Sequence, residues 1–285
     1  MTQGLLEKVR LPGAGVTIAA DVGGPDDGTP VIMLHGIGQT RHSWGKAAAR
    51  LASSGYRVTS FDLRGHGESD WSPDSVYGFE RFMADLAAVQ ALQTRPAFLV
   101  GASMGGLTAL LAVGEAEARA AGLVLVDIAP RMEQAGANHI TSFMRGNAEG
   151  FASVEEAADA VAAYRPGRPR PRDPSGLLKN LRLGADGRYY WHWDPAIMQH
   201  RRTPEGWEKM LARFRAAASA LTVPTALVRG GLSNVVSAEG ADEFARLVPH
   251  AEIVTIDQAD HMVAGDRNDR FADAVTAFLD RHAAA

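Results

Sequence analysis

Ser103 stands at the centre of the segment GASMGG, where Gly101, Ser103 and Gly105 fit the pattern G-x-S-x-G. In this pattern the central residue takes a strained backbone conformation, and small neighbours let a strand and the following helix pack closely. The hydroxyl is then held clear of the sheet at the N-terminus of the helix, where backbone N–H groups and the helix dipole favour negative charge. The chemistry indicated is nucleophilic attack by the serine hydroxyl.

A serine hydroxyl is a weak nucleophile and needs a neighbouring base. Of the nine histidines, His261 is the best placed, because it follows the last apolar strand segment and its loop can reach back to Ser103. Most of the others are interpreted as surface residues. His35 is different, because it begins the segment HGIG, whose glycines would let the backbone N–H of Ile37 face the serine. With the N–H of Met104 this group would form an oxyanion hole.

Short apolar segments that alternate with helical patterns must position these residues. The apolar runs predict the strands VIMLHG (31–36), YRVTSFD (56–62), AFLVGAS (97–103), GLVLVDIAP (122–130), TALVRG (225–230) and AEIVTID (251–257). A strand before Ser103 and the helical LTALLAVGE after it supply the context that the serine motif requires. Strands that are apolar throughout and separated by helices imply a parallel sheet covered on both faces.

This alternation is interrupted once, over residues 132–205, which contain no convincing strand. Within this stretch Ser153 and Glu156 have the spacing of a helix-capping box. The simplest organisation is one α/β core formed by residues 1–131 and 206–285, with a helical cap (132–205) inserted between its halves.

Composition excludes several classes of protein. The chain has 285 residues, of which 46% are hydrophobic and 22% charged, and its formal charge of −4 offers no footprint for nucleic acid or acidic membranes. It contains no cysteine, so disulfides and thiolate catalysis are excluded. No apolar run approaches the ~18 residues of a membrane span, and no signal peptide is evident, so the cytoplasm is the expected location.

These motifs resemble those of the α/β-hydrolase superfamily over nearly the whole chain. The resemblance rests on the segments LHGIGQTRHSW (34–44), FDLRGHGESDW (61–71), GASMGG (101–106), VLVDIAP (124–130) and ADHMV (259–263). It is strongest to the esterase, epoxide-hydrolase-like and cofactor-free peroxidase-like branch, and it implies a mostly parallel twisted sheet with an inserted helical cap. In the second segment Asp62, Arg64 and Ser69 are interpreted as structural residues that fix a turn.

The family order along the chain is nucleophile, acid, histidine, and the acid normally follows the strand after the cap. The matching position here is Asn234, in VRGGLSNVVS. An amide accepts a hydrogen bond but supplies no charge to stabilise the imidazolium that forms during attack. The resemblance therefore predicts a weakened triad of Ser103, Asn234 and His261, whose activity Asn234→Asp would raise strongly.

Three explanations of Asn234 are open: an introduced substitution that slows the enzyme, a natural residue with another acid in reach of His261, or a protein with a role other than catalysis. Asp127 is the best substitute acid, because it ends the strand beside the Ser103 strand and some superfamily members place their acid there. Asp260 is interpreted as a surface charge that points away from its neighbour His261.

The resemblance also indicates the reaction. Epoxide hydrolases and haloalkane dehalogenases of the superfamily attack with an aspartate, so a serine at position 103 favours acyl chemistry. We expect hydrolysis of a small-molecule carboxylic ester or lactone through an acyl-enzyme, with no metal or cofactor. Trp191 and Trp193 lie in an aromatic run that would contact an apolar acyl or alkoxy group, or else dock the cap on the core. The same mapping places Trp44 near the oxyanion site.

Three other functions remain open from the sequence. A cofactor-free perhydrolase or haloperoxidase-like enzyme would use the same triad to make peracids from a carboxylic acid and peroxide. A carbon–carbon bond hydrolase would cleave a diketone. A catalytically weak ligand-binding protein would retain the fold alone, and Asn234 is the one feature that favours it.

Overall fold

The computed structural model describes residues 5–165, 170, 172–199, 203–266 and 268–283. The strands in these ranges are β1 (Leu6–Pro12), β2 (Thr17–Gly23), β3 (Thr29–Leu34), β4 (Tyr56–Phe61), β5 (Ala97–Ala102), β6 (Ala120–Val126), β7 (Leu181–Leu183), β8 (Tyr189–Trp191), β9 (Thr225–Gly230) and β10 (Glu252–Ile256). The α-helices are α1 (Gly45–Ser53), α2 (Phe79–Gln90), α3 (Ser103–Gly114), α4 (Gln134–Arg145), α5 (Val154–Tyr164), α6 (Pro204–Ser219), α7 (Ala238–Leu247), α8 (Val263–Asp266) and α9 (Asn268–His282). None of these helices is both long enough and apolar enough to cross a membrane.

Eight strands form one sheet in the order β1-β2-β4-β3-β5-β6-β9-β10. β2 runs antiparallel to both of its neighbours, β1 and β4, and every later neighbouring pair is parallel. The parallel strands are the ones that the apolar runs predicted. The β1–β2 hairpin was not predicted, because β1 is only partly buried and has no uninterrupted apolar run.

Helices cover both faces of this sheet. Alternate residues of β3 point to opposite faces, so Val31 packs with Leu51 of α1 and Phe278 of α9 in one core cluster. Ile32 packs in the other cluster with residues of α2, α3, α6 and α7, such as Phe214. The predicted α/β fold, a mostly parallel sheet with helices on both faces, is confirmed.

Residues 132–205, which we call the insertion, are not wholly helical. They contain α4 and α5, but β7 and β8 also pair as an antiparallel hairpin. The expectation that this stretch contains no strand is wrong, because three-residue strands are too short to show a period in the sequence. The start of α5 is as predicted, since the Glu156 N–H donates to the Ser153 hydroxyl at 3.2 Å.

The turn after β4 is fixed by buried polar contacts. Arg64 donates two hydrogen bonds of 2.7 Å to the carboxylate of Asp85 on α2, and both side chains are at most 1% exposed. The Ser69 hydroxyl accepts from the Ala19 N–H and donates to the Asp62 carbonyl. These contacts tie the turn to β2 and α2, as expected of structural residues.

We predict that Asp85→Ala lowers the free energy of unfolding by about 3–5 kcal/mol, because it leaves the Arg64 guanidinium buried without a counter-charge. Urea denaturation measures this change. The matched control is Asp273→Ala, which removes the partner of Arg50 from a pair whose side chains are 46% and 63% exposed. The control should cost less than about 1 kcal/mol. Equal losses in the two variants would contradict the prediction.

Candidate active site

Ser103 lies at a sharp turn between β5, which ends at Ala102, and α3, which begins at Ser103. Its φ of 46° is in the left-handed region, which residues with side chains rarely adopt. The flanking positions require glycine, because a Cβ atom at Gly101 would lie 2.6 Å from the Gly105 carbonyl oxygen. A Cβ atom at Gly105 would lie 2.5 Å from the Leu34 carbonyl oxygen. The turn that the serine motif predicts is therefore present.

His261 lies on the loop between β10 and α8, and its ring is paired with a carboxylate. Its Nδ1 is 2.7 Å from Oδ2 of Asp127, whose side chain is 0% exposed. In this pair Nδ1–H donates to the carboxylate, which leaves Nε2 of the neutral ring as an acceptor. His261 and Ser103 line the same cavity. A hydroxyl, an imidazole and a carboxylate are thus brought together after the C-terminal ends of β5, β10 and β6.

The Asp127 carboxylate is held by three donors. Oδ1 accepts from the Gly230 N–H at 2.8 Å, and Oδ2 accepts from the Ser233 hydroxyl at 2.5 Å as well as from His261. The backbone of Asp127 turns away from β6 with a φ of 48°. Because a buried carboxylate needs hydrogen-bond donors, these contacts fix its position.

Asn234 does not take the position of the acid. Its side chain is exposed, while its backbone packs against the insertion: a Cβ atom at Gly136 of α4 would lie 2.2 Å from the Asn234 carbonyl oxygen. The preceding residue, Ser233, is the one whose side chain points inward, to Asp127. The prediction that Asn234 partners His261 is therefore corrected, and the alternative of Asp127 as partner agrees with the geometry.

Asp260 also has a different partner, although it adjoins His261 in the sequence. Its Oδ2 lies 2.7 Å from Nη2 of Arg165, and its Oδ1 accepts from the Met262 N–H at 2.8 Å. Its carboxylate thus binds Arg165 of the insertion and the backbone of its own loop.

The loop after β3 has nearly all of its backbone donors engaged. The Gly36 N–H donates to the Gln39 side-chain oxygen, the Gly38 N–H to Nε2 of His66, and the Gln39 N–H to the Gly36 carbonyl. In the described part of the chain, the N–H of Ile37 has no acceptor, and Ile37 lines the cavity that Ser103 lines. The N–H of Met104 lies in the first turn of α3, where backbone donors lack helical acceptors. Both predicted oxyanion donors are thus available.

Three buried histidines surround this loop. His35 and His66 contact edge to face with ring centroids 5.2 Å apart, and His66 and His192 of the insertion lie 5.9 Å apart. Each ring accepts one backbone N–H, from Leu63, Gly38 and Gly67 respectively.

The other nitrogen of each ring faces a carbonyl oxygen. Nδ1 of His35 lies 2.8 Å from the Gly36 oxygen, Nδ1 of His66 lies 3.2 Å from the Arg64 oxygen, and Nε2 of His192 lies 3.3 Å from the Gly38 oxygen. With one acceptor and one donor nitrogen, each ring is neutral and its tautomer is fixed. No ring nitrogen of the three is left to bind a metal, and no group of three or more metal-ligating side chains occurs among the described residues.

The cavity beside Ser103 and His261 has a volume of about 260 Å³. Its walls are mainly apolar and come largely from the insertion, including Ile140, Phe143, Tyr164, Trp191 and Trp193. The two tryptophan rings stack, with centroids 5.1 Å apart and planes 11° from parallel. Trp191 and Trp193 thus both line the cavity that Ser103 lines.

Trp44 does not line this cavity, contrary to the expectation from the resemblance. It is 1% exposed and stacks on Phe271 of α9, with ring centroids 5.6 Å apart, in the core cluster beneath the sheet. The preceding residue, Ser43, lines the cavity instead. Ser43 and Trp44 lie on one short helical turn, and their side chains point in different directions. The segment therefore reaches the site through Ser43 and not through Trp44.

Comparisons with known proteins agree with this geometry. A family model described as the alpha/beta hydrolase fold matches residues 29–267. The chain belongs to the α/β-hydrolase family. An esterase of Mycobacterium tuberculosis is 31% identical to it over 285 aligned positions, which cover 97% of this chain and 91% of that protein. A crystal structure of that esterase has a TM-score of 0.77 to this α/β hydrolase at 28% identity, covering 97% of this chain and 92% of the other.

An sn-1-specific diacylglycerol lipase of Mus musculus is 30% identical over 261 aligned positions, which cover 87% of this chain and 80% of that protein. An esterase and a lipase are thus similar to this α/β hydrolase over most of its length. These relatives support hydrolase activity.

Three side chains of the site in this α/β hydrolase carried no recognised signal in the sequence. The sequence predicts Asn234 rather than Ser233 at the site, and it gives no separate role to His66 or His192. His192 had one usable signal, because it lies between two tryptophans in an aromatic run. Ser233 had none, because its contact with Asp127 joins two distant parts of the chain.

The three histidines make the stability of this α/β hydrolase depend on pH. Burial lowers the pKa of His35, His66 and His192 from 6.5 to about 3 in each case. Between these values the unfolded chain binds more protons than the folded chain, so stability falls as the pH falls from 6.5 toward 3. Each histidine contributes a loss of up to about 1.4 kcal/mol per pH unit.

We predict that the free energy of unfolding falls between about pH 6.5 and about pH 5, before most carboxylates titrate. Urea denaturation at several pH values measures it. His192→Gln removes one of the three titrating rings and should reduce the slope by about one third. A free energy of unfolding that is constant over this range would contradict the prediction.

Proposed function

We propose that the chain is a serine hydrolase that cleaves a small-molecule carboxylic ester through an acyl-enzyme, with Ser103, His261 and Asp127 as its catalytic triad. The observation that carries the proposal is the hydrogen bond between buried Asp127 and His261, in a cavity that Ser103 also lines. Relatives that are an esterase and a lipase support it. Asp127 takes the role that the sequence assigned to Asn234.

The reaction follows from the roles of these groups. Ser103 Oγ attacks the ester carbonyl carbon while Nε2 of His261 takes the hydroxyl proton, and the Asp127 charge stabilises the resulting imidazolium. The oxyanion accepts hydrogen bonds from the N–H groups of Ile37 and Met104. The tetrahedral intermediate collapses, and the alcohol leaves with the proton from His261. Water then attacks the acyl-enzyme with His261 as base, which releases the acid and restores Ser103.

The cavity indicates the kind of substrate. A volume of about 260 Å³ fits a medium-sized group rather than a long acyl chain. Phe143, Trp191 and Trp193 offer apolar aromatic surface for an alkyl or aromatic group of the ester. We therefore propose that the insertion acts as a cap that selects the substrate. The reaction uses only protein groups and water.

The first test is hydrolysis of p-nitrophenyl esters of increasing acyl length by the wild-type chain and Ser103→Ala. We expect activity to peak at medium acyl lengths and to fall by at least about 10³-fold in the variant. A fluorophosphonate probe should label residue 103 in the wild type. Failure to label it would overturn the serine mechanism. Peroxide-dependent peracid formation that exceeds ester hydrolysis would favour a perhydrolase on the same triad.

The second test concerns the acid. We predict that Asp127→Asn lowers kcat about 10⁴-fold, as the comparable change does in a serine protease, because the amide supplies no charge and favours the wrong tautomer. Asn234→Asp places its carboxylate at an exposed position and should change kcat by less than about 3-fold.

Both acid variants are compared by kcat for the same p-nitrophenyl ester, and circular dichroism checks that each is folded. A large gain in Asn234→Asp, together with a small loss in Asp127→Asn, would return the acid role to the loop after β9. Tight ligand binding without turnover in every variant would instead support a ligand-binding protein.

A further inference from the structure

We propose that His192, which the insertion contributes, is a positioning residue for the oxyanion hole. It holds the Gly38 carbonyl so that the neighbouring N–H of Ile37 faces the oxyanion. The inference rests on the proposed function. It adds His192, which acts through Gly38 and contacts neither the substrate nor Ser103 in the mechanism above.

The direction of the Ile37 N–H is set by the peptide groups around it. In the planar trans peptide between Gly36 and Ile37, the N–H points opposite to the carbonyl. That carbonyl accepts hydrogen bonds from Nδ1 of His35 at 2.8 Å and from the Gln39 N–H at 3.1 Å. The N–H therefore points away from these two groups. This fixes one side of the loop.

The other side of the loop is fixed at Gly38. Its N–H donates to Nε2 of His66 at 3.2 Å, and its carbonyl accepts from Nε2–H of His192 at 3.3 Å. Gly38 has a φ of 73°, a conformation open to glycine and readily lost if its peptide groups are released. Without His192 the Gly38 carbonyl has no other described partner, so the loop could rotate and turn the Ile37 donor.

His192 is itself held firmly. It is 4% exposed, and its Nδ1 accepts from the Gly67 N–H at 2.6 Å. This hydrogen bond fixes the tautomer, because a ring that accepts at Nδ1 carries its proton on Nε2 and can donate to Gly38. Trp191 and Trp193 on either side line the cavity, so adjacent residues of one segment contact the substrate space and the oxyanion loop.

Two substitutions separate the two hydrogen bonds of His192. The Asn side chain ends near the position of Nδ1, so His192→Asn keeps an acceptor for Gly67 and loses the donor to Gly38. The Gln side chain reaches the position of Nε2, so His192→Gln keeps the donor and loses the acceptor. A role limited to the Gly67 hydrogen bond would spare the Asn variant, whereas the proposed role is retained in the Gln variant.

We expect His192→Asn to lower kcat for a p-nitrophenyl ester about 10- to 100-fold, with KM changed less than about 2-fold, because an oxyanion donor acts mainly in the transition state. His192→Gln should restore kcat to within about 3-fold of the wild type. Titration with a fluorophosphonate counts competent sites, so kcat is unaffected by unfolded molecules. His250→Asn, at an exposed histidine whose Nε2 contacts the Val223 carbonyl, is the matched control.

If His192→Asn does not fold, His192→Met fills a similar space without a donor and takes its place, with the same expected loss. Equal kcat in the wild type and the variant without a donor would overturn the inference while leaving the proposed function intact. A lower kcat in His192→Gln than in His192→Asn would also overturn it. Absence of ester hydrolysis in the wild type would overturn the proposed function and the inference together.

Discussion

The hydrogen bond between Asp127 and His261 joins two loops that leave the sheet at separate strands, and the candidate site depends on it. The Asp127 side chain is fully buried, and Gly230, Ser233 and His261 satisfy its oxygens with hydrogen bonds. The same contacts determine which nitrogen of His261 carries the proton. The other nitrogen is thereby left as an acceptor, as the proposed mechanism requires.

The loop after β9, which carries Ser233 and Asn234, contacts both the candidate site and the insertion. Asn234, where the resemblance led us to expect the acid, is exposed, and the loop contacts the insertion. The Glu133 N–H donates to the Val235 carbonyl, and the Ser237 hydroxyl donates to the Glu133 carboxylate. Ser233, in the same loop, supports Asp127. The loop thus contacts the candidate site through the Ser233 hydroxyl.

Three neutral histidines hold the loop after β3 through hydrogen bonds to its backbone at Gly36 and Gly38. A buried, hydrogen-bonded imidazole can satisfy one donor and one acceptor of the backbone at once, which no aliphatic side chain can do. His35, His66 and His192 do this around a glycine-rich loop that lacks regular secondary structure. Burial lowers the pKa of all three, so they add no positive charge to this loop at neutral pH. One of the three comes from the insertion, which is therefore joined to the core at the site as well as at its surface.

The sequence by itself determined the features that depend on short-range patterns. Gly101, Ser103 and Gly105 predicted the strained turn, because only that spacing lets β5 and α3 approach, and uninterrupted apolar runs predicted the parallel strands. His261 was predicted because it follows the last apolar strand segment. Tertiary structure alone decided the rest. Asp127 and Asn234 both follow strands of the sheet, and only the folded backbone shows which side chain turns inward. Trp44 faces the core and His192 faces the loop after β3 for the same reason. Side-chain direction depends on packing between distant segments, which local patterns do not encode.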